Sequence, residues 1–96
     1  MSKYSIQKSP SEFLKELAFK HRSLRNSHRL SQAELAERSG VSHGSLKRFE
    51  GTGKISLESF LKLLLILGRL DEIENLLLPE ENIKDIEKLF SDKTRK

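Results

Sequence analysis

The chain has 96 residues, no cysteine and a net charge of +4. A chain of this length forms one small domain with little room for a deep catalytic cleft, and without cysteine it has neither disulfides nor cysteine-ligated metal sites. No apolar signal region opens the sequence, and the longest apolar run, residues 63–67, is far shorter than the ~20 residues that span a bilayer, so we expect a cytoplasmic protein without a membrane segment.

Charge is unevenly distributed along the chain. Residues 1–54 contain 11 lysines and arginines and 5 acidic residues, whereas residues 55–96 contain 7 and 9. The first half is therefore basic and the second mildly acidic. A basic half is typical of proteins that bind a polyanion such as nucleic acid, although a solvated surface of mixed charge gives the same counts, and charge alone favours neither interpretation.

The first predicted helix opens with a capping signal. Ser9 takes the N-cap position, Pro10 the first helical position and Glu12 the position that returns a hydrogen bond to the cap. Apolar residues then recur at helical spacing to about Asn26. Near its end the helix carries basic residues that can complement its dipole: Arg22, Arg25 and Arg29.

Two short helices, separated by one glycine, follow in the sequence. Ser31 and Glu34 form a second capping box, which predicts a helix that ends at Gly40. Ser42 caps the next predicted helix, residues 43 to about 50, and a glycine-rich stretch then breaks it.

The second half predicts two further helices and a weaker sixth. Ser56 caps an almost wholly apolar helix that ends at Gly68, and a capping box at residues 71–74 predicts a fifth helix that stops near Pro79. The sum is an all-α bundle of five to six short helices. We divide the chain into an N-terminal arm (1–8), a helical domain (9–79) and a C-terminal helix and tail (80–96).

The predicted sixth helix has a narrow apolar stripe on an otherwise charged segment. The stripe consists of Ile83, Ile86, Leu89 and Phe90. A stripe of this shape suits a helix that lies in a groove. The groove can belong to the same domain, to the other subunit or to a partner protein.

The helix predicted from residue 43 has two chemically different faces. At about 100° per residue, Leu46 and Phe49 share an apolar face that packs on the core. Gly44, Lys47 and Arg48 surround the opposite face, which is bare and basic. The major groove of B-DNA admits one α-helix, and a preceding helix joined by a glycine turn gives helix-turn-helix geometry. We therefore expect this face to enter DNA, and plain helix packing is the less favoured alternative.

The stretch from residue 30 to residue 50 reads LSQAELAERSGVSHGSLKRFE and resembles the Cro/CI-type, or Xre, family of helix-turn-helix repressors. The positions that follow the family's pattern are Gln32, Leu35, Ala36, Gly40, Val41, Ser42, Leu46 and Glu50. The resemblance extends over roughly residues 10–70 and implies a bundle of the lambda-repressor-like DNA-binding type.

The resemblance also implies which residues contact DNA. It implies that Gln32 contacts a phosphate, that the first turn of the next helix reads base edges, and that Arg48 is the best candidate for guanine. The expected DNA-contacting residues are Ser31, Gln32, Ser42, His43, Gly44, Ser45, Lys47, Arg48, Thr52 and Lys54. Gly44 departs from the pattern, because these proteins often carry a glutamine there. Backbone approach or a thymine-methyl contact is then expected in its place.

A narrower resemblance lies in residues 48–80, which read RFEGTGKISLESFLKLLLILGRLDEIENLLLPE. This stretch resembles small Xre-type antitoxins of Hip-type toxin–antitoxin pairs. The resemblance implies a kinase-like toxin as partner and repression of the pair's own operon.

The apolar residues of the predicted fifth helix suggest a homodimer interface, formed by Ile73, Leu76 and Leu77. A two-fold dimer places two recognition helices ~34 Å apart on a palindromic operator.

No residue pattern points to catalysis or to a metal. The three histidines, His21, His28 and His43, are 7 and 15 residues apart without a regularly placed carboxylate, so no zinc site is expected. No acid orients His43 towards the neighbouring serines. We therefore predict a dimeric DNA-binding repressor without cofactor or enzymatic activity. The alternative is a protein-interaction module whose helix-turn-helix does not bind DNA.

Overall fold

The computed structural model describes residues 8–79, which form four α-helices and one 3₁₀ helix without any strand. The elements are α1 (Pro10–Ser27), α2 (Gln32–Ser39), α3 (His43–Thr52), α4 (Leu57–Ile66) and the 3₁₀ helix Leu70–Ile73. The all-α prediction is confirmed for this part of the chain, but the count of five to six helices is not matched. The predicted sixth helix and most of the N-terminal arm lie outside the described residues.

Every α-helix begins where a serine cap predicts it. The four N-cap residues have extended backbone, and each side chain accepts a hydrogen bond from the N–H three residues further on: Ser9, Ser31, Ser42 and Ser56. In α1 and α2 a glutamate returns the bond, so both predicted capping boxes are complete. Each cap satisfies a backbone donor that the helix leaves free, and stabilises the domain by about 1 kcal/mol.

The turn between α2 and α3 depends on one glycine. Gly40 has φ 81°, in the left-handed region, and its N–H donates to the carbonyl oxygen of Ala36 at 3.0 Å. Val41 follows as a buried residue, and Ser42 then caps α3. The left-handed residue reverses the chain within three positions, so the sequence prediction for this turn is confirmed.

All four α-helices contribute to the core, in which α1 packs on α3, and α2 packs on both α3 and α4. Its largest fully buried side chains are Phe49, Leu35, Leu46, Leu63 and Leu67. The Phe49 ring is in edge contact with the rings of His21 and Phe60, at centroid distances of 5.0 and 5.6 Å. The apolar face of α3 therefore lies at the centre of the domain, as its sequence predicts.

The prediction of a fifth α-helix that begins at residue 71 is wrong. After α4 the chain makes a Schellman motif, in which Gly68 (φ 74°) donates to Leu65 and Arg69 donates to the carbonyl oxygen of Leu64. A single 3₁₀ helix follows directly and encloses Asp71, so this residue lacks the extended backbone of an N-cap. A turn then leads to Leu77, which has φ 67°. None of the described helices is long and apolar enough to cross a membrane.

Candidate nucleic-acid interface

The outer face of α3 consists of exposed side chains that the rest of the domain does not use. His43, Gly44, Ser45, Lys47 and Arg48 are all exposed, whereas the inner face is fully buried. Within residues 8–79 no carboxylate pairs with Lys47 or Arg48. The first turn of α3 also contains no acidic residue. The sequence prediction of a bare, basic face on a buried helix is therefore matched by the geometry.

A buried polar cluster holds the inner face of α3 to the two preceding helices. Glu50, near the end of α3, accepts hydrogen bonds from Arg25 Nη2 at 2.8 Å and Arg25 Nε at 2.9 Å, a bidentate pair. His21 Nδ1 lies 2.7 Å from the same carboxylate, and Gln32 Nε2 donates to it at 2.9 Å. Arg25 Nη1 also donates to the carbonyl oxygen of Leu30 at 2.8 Å. The cluster thus fixes α3 relative to α1 and to the start of α2.

Burial and hydrogen bonds act in opposite directions on the acid of this cluster. Burial alone would raise the pKa of Glu50, but the bonds from Arg25, Gln32 and His21 outweigh it and lower the pKa to about 2. Burial lowers the pKa of His21, and the Arg25 charge adds to this, although Glu50 opposes it. At neutral pH the histidine is therefore neutral with its proton on Nδ1, facing the carboxylate.

Gln32 connects this buried cluster to the surface. The residue is half-buried at the first position of α2, and one amide N–H is bonded to Glu50. The bond fixes the orientation of the amide and leaves its second N–H for an outside acceptor. The neighbouring Ser31 hydroxyl accepts a bond from the N–H of Glu34 at 3.0 Å, so its lone pairs serve the helix cap.

The first turn of α3 is held by its own serine pair. The Ser42 hydroxyl accepts from the N–H of Ser45 at 3.1 Å and donates to the Ser45 hydroxyl at 2.9 Å. Gly44 lies between them, and a Cβ added there would meet nothing within 4 Å. The turn therefore has open space beside its backbone at Gly44, next to the exposed His43.

The end of α3 is fixed by one close backbone contact. Gly53 has φ 85°, and a Cβ at this position would lie 2.5 Å from the carbonyl oxygen of Leu14 in α1. The Thr52 hydroxyl donates to the carbonyl oxygen of Arg48 at 2.7 Å and accepts from the N–H of Lys54 at 3.1 Å. These contacts fix the backbone at Lys54, two residues after the end of α3.

A helix-turn-helix family model, HTH_3, matches residues 22–74, more than half of the chain. The chain belongs to this helix-turn-helix family. The family is of the Xre, or lambda-repressor-like, type and consists of DNA-binding regulators. Comparisons with curated proteins and with solved structures find no match.

A small polar depression lies between α3 and the start of α4 in this helix-turn-helix protein. It has a volume of about 210 Å³ and is lined by Ser45, Arg48, Lys54, Ile55, Ser56 and Ser59. Ser45, Arg48 and Lys54 belong to the residues predicted to contact DNA, whereas Ser56, the N-cap of α4, and Ser59, in its first turn, do not. The sequence does indicate an anion-binding position at Ser56 and Ser59, because a serine cap marks a helix N-terminus and helix N-termini bind anions.

The three residues predicted for a dimer interface differ in exposure. Ile73 is half-buried at the end of the 3₁₀ helix, Leu76 is 59% exposed and Leu77 is 97% exposed. They lie in the 3₁₀ helix and the turn after it rather than on one face of an α-helix. Leu77 is therefore the most accessible large apolar side chain of the described residues.

Proposed function

We propose that the protein is a sequence-specific repressor of transcription that reads its operator with the outer face of α3. The observation that carries the proposal is the contrast within α3 itself. Its inner face is held by the core and by Glu50, while Lys47 and Arg48 have no carboxylate partner in the described chain. A rigid helix that presents free basic side chains fits the major groove, where bases are distinguished by their edges.

The contacts divide into those that read bases and those that position the protein. Arg48 is the residue that reads guanine, because its planar guanidinium can bond two acceptors at once. Lys54 and the N-terminus of α4 flank the polar depression, where a phosphate oxygen fits. Gln32 offers its remaining amide N–H to a second phosphate at the start of α2. Phosphate contacts of this kind fix the register of α3 in the groove.

We further propose that the repressor acts as a homodimer on a palindromic operator. Support comes from the exposed apolar turn, in which Leu77 is the most exposed residue. A Leu77→Glu variant should then sediment as a monomer at micromolar concentration and bind a full palindrome no better than a half-site, because the substitution buries a charge without a partner. A wild-type protein that sediments as a monomer, both free and on DNA, contradicts the dimer.

The finer role that we propose is that of an autoregulating antitoxin of a Hip-type pair, with a kinase-like toxin as partner. Its support is the resemblance of residues 48–80, quoted above. Co-expression with the product of the neighbouring gene should relieve any growth arrest that this product causes alone, and the two proteins should co-purify. If the neighbouring product is harmless or does not bind, the antitoxin role is wrong and the DNA-binding role is unaffected.

Binding to selected DNA tests the main proposal. After an operator has been selected from random duplexes, Arg48→Ala should weaken its binding by roughly 1–3 kcal/mol and relax the preference at one base pair. Arg48→Lys should restore the electrostatic attraction to DNA but not the preference at that base pair, because lysine lacks the planar guanidinium that bonds two acceptors at once. Lys62→Ala is the matched control, since it removes one positive charge from the exposed face of α4.

The salt dependence of binding distinguishes this function from the alternative, an interaction module that does not bind DNA. A repressor should lose affinity steeply as salt rises, because phosphate contacts release counterions. The alternative is favoured by the number of exposed large apolar residues, among them Phe13, Phe19, Leu57 and Leu65. If no duplex is enriched and Arg48→Ala binds random DNA like the wild type, the repressor proposal is wrong.

A further inference from the structure

An apolar groove runs between α1, α4 and the 3₁₀ helix. It has a volume of about 400 Å³, and its apolar lining consists of Leu17, Leu24, Phe60, Leu64, Ile73 and Leu76. Lys20 and Arg69 add positive charge to the lining, and Glu72 is bonded to Arg69. None of the groove residues belongs to the set expected to contact DNA, but Ile73 and Leu76 are two of the three residues predicted from the sequence for a dimer interface.

The exposure of two leucines indicates that the groove is incompletely covered by residues 8–79. Leu17 and Leu76 line it and remain 40% and 59% exposed. A contiguous apolar surface of this kind usually contacts another part of the protein or a partner.

We propose that the chain covers this groove with its own residues 83–90, whose apolar stripe consists of Ile83, Ile86, Leu89 and Phe90. These residues lie outside the described part of the chain, but the place where that part ends favours them. Leu76 lies in the wall of the groove, and Ile83 follows it after seven residues, which span at most ~25 Å even when fully extended. The stripe therefore begins within reach of the groove.

Charge complementarity also favours this segment. Residues 80–90 contain four acidic and two basic residues, so the segment carries a net negative charge. Lys20, in the groove lining, has no carboxylate partner among residues 8–79. An acidic segment with one apolar face matches an apolar groove beside an unpaired lysine.

The chain's own segment has an advantage over a second copy. A tether of a few residues gives it an effective concentration of the order of millimolar, far above that of a second molecule at micromolar concentration. Leu77, with 97% exposure, does not line the groove and stays available for contact between copies. The inference does not depend on DNA binding, and its test requires no DNA.

Disulfide trapping tests the inference cleanly, because the native chain has no cysteine. Leu17→Cys would be combined with Ile86→Cys on the stripe, or with Lys88→Cys on the opposite side of the predicted helix as the matched control. Under mild oxidation of the folded full-length chain, the stripe pair should close within one chain at least about tenfold faster than the control pair, because cysteines with distant Cα atoms cannot bridge without backbone movement.

Each other result of the trapping experiment overturns the inference. Disulfides between chains would show that a second copy fills the groove. Equal rates for the stripe and control pairs would show that the segment does not settle there and that the groove awaits a partner.

A variant pair without cysteine gives an independent measurement. In the full-length chain, Ile86→Glu should lower the urea midpoint, because it places a charge against the apolar groove. Lys88→Glu, on the opposite side, should leave the midpoint close to that of the wild type. Equal midpoints for the two variants contradict the inference even if the cysteine variants fail to fold.

Discussion

The two faces of α3 differ in what holds them. On the inner face, Leu46 and Phe49 are fully buried, and the Glu50 carboxylate is bonded by three other side chains. On the outer face, Lys47 and Arg48 form no ion pair within the described chain. The inner face of this ten-residue helix thus contributes to stability, and its outer face is the one proposed to bind DNA. Inward changes should alter folding, whereas changes to the outward Lys47 and Arg48 side chains should alter DNA binding.

The largest expected effect is that of removing the acid from the inner face. Glu50→Ala leaves the Arg25 guanidinium buried without its carboxylate, and breaking a buried pair in this way costs about 3–5 kcal/mol. Because small domains unfold with only about 5–15 kcal/mol, much of the stability should be lost. Urea denaturation followed by circular dichroism measures the loss.

The control for this variant is Glu37→Ala, on the exposed side of α2. Its free energy of unfolding should stay within about 0.5 kcal/mol of the wild type. If Glu50→Ala is as stable as this control, the buried cluster does not fix α3.

The second expected effect concerns the contact that ends α3. Gly53→Ala should lower the free energy of unfolding by about 2–4 kcal/mol, because the new Cβ requires a left-handed backbone and meets the α1 backbone at Leu14. Gly51→Ala is the matched control, since a Cβ there meets nothing within 4 Å. Alanine is the better helix former, so this control should be slightly more stable.

In thermal unfolding, Gly53→Ala should lower the midpoint temperature and Gly51→Ala should raise it slightly. If both variants shift the midpoint in the same direction by similar amounts, the close approach of Gly53 to α1 does not matter for stability.

The third effect is a pH dependence that arises in the inner cluster. Because the pKa of His21 is lowered in the folded state, the unfolded chain binds the proton more tightly, and stability should fall as pH decreases below the ordinary value of 6.5. Glu50 adds to the loss only below its ordinary value of 4.5, and down to its folded pKa of about 2. Between pH 6.5 and 4.5 the decrease attributable to the cluster therefore belongs to His21.

Urea midpoints at pH 7 and pH 5 measure this decrease, which reaches at most about 1.4 kcal/mol per pH unit for one group. His21→Gln keeps a hydrogen-bond donor but cannot titrate, so its stability should change less over the same interval. If the variant loses as much stability as the wild type, the dependence arises elsewhere.

The comparison of the two faces also explains what the sequence could predict. The serine caps, the Gly40 turn and the apolar face of α3 depend on residues within four positions of each other, and all were predicted correctly. The buried cluster joins side chains that are 18 to 29 positions apart, so no local spacing reveals it. From the sequence, Arg25 is one of three basic residues that can complement the dipole of the first helix, whereas the structure buries it against Glu50.

The predicted fifth helix was wrong for a related reason. The box at residues 71–74 has the composition of a cap, but a cap requires extended backbone at its first residue. The Schellman motif at Gly68 leads directly into the 3₁₀ helix and removes that condition. The cap-like residues at 71–74 are visible in the sequence, whereas the backbone conformation that the preceding turn imposes on Asp71 is not.

The smallest expected effect concerns the outer face of α3. One substitution there should raise the stability of the fold and lower its affinity for DNA. Gly44→Ala should raise the free energy of unfolding by up to about 1 kcal/mol, because alanine favours the helix and the added Cβ meets no protein atom within 4 Å. The same methyl group should lower the affinity for the selected operator, because the expected approach of the α3 backbone to the bases at Gly44 leaves no room for it. We expect this loss to be smaller than the 1–3 kcal/mol of a bidentate base contact.

Gly51→Ala serves as the control for this prediction, since it makes the same chemical change in the same helix outside the expected DNA-contacting set. It should raise stability and leave the affinity for the operator unchanged. Thermal unfolding and gel shifts on the same preparations give both quantities. An affinity that rises or stays constant in Gly44→Ala would show that a thymine-methyl contact or open solvent, rather than close backbone approach, occupies this position on DNA.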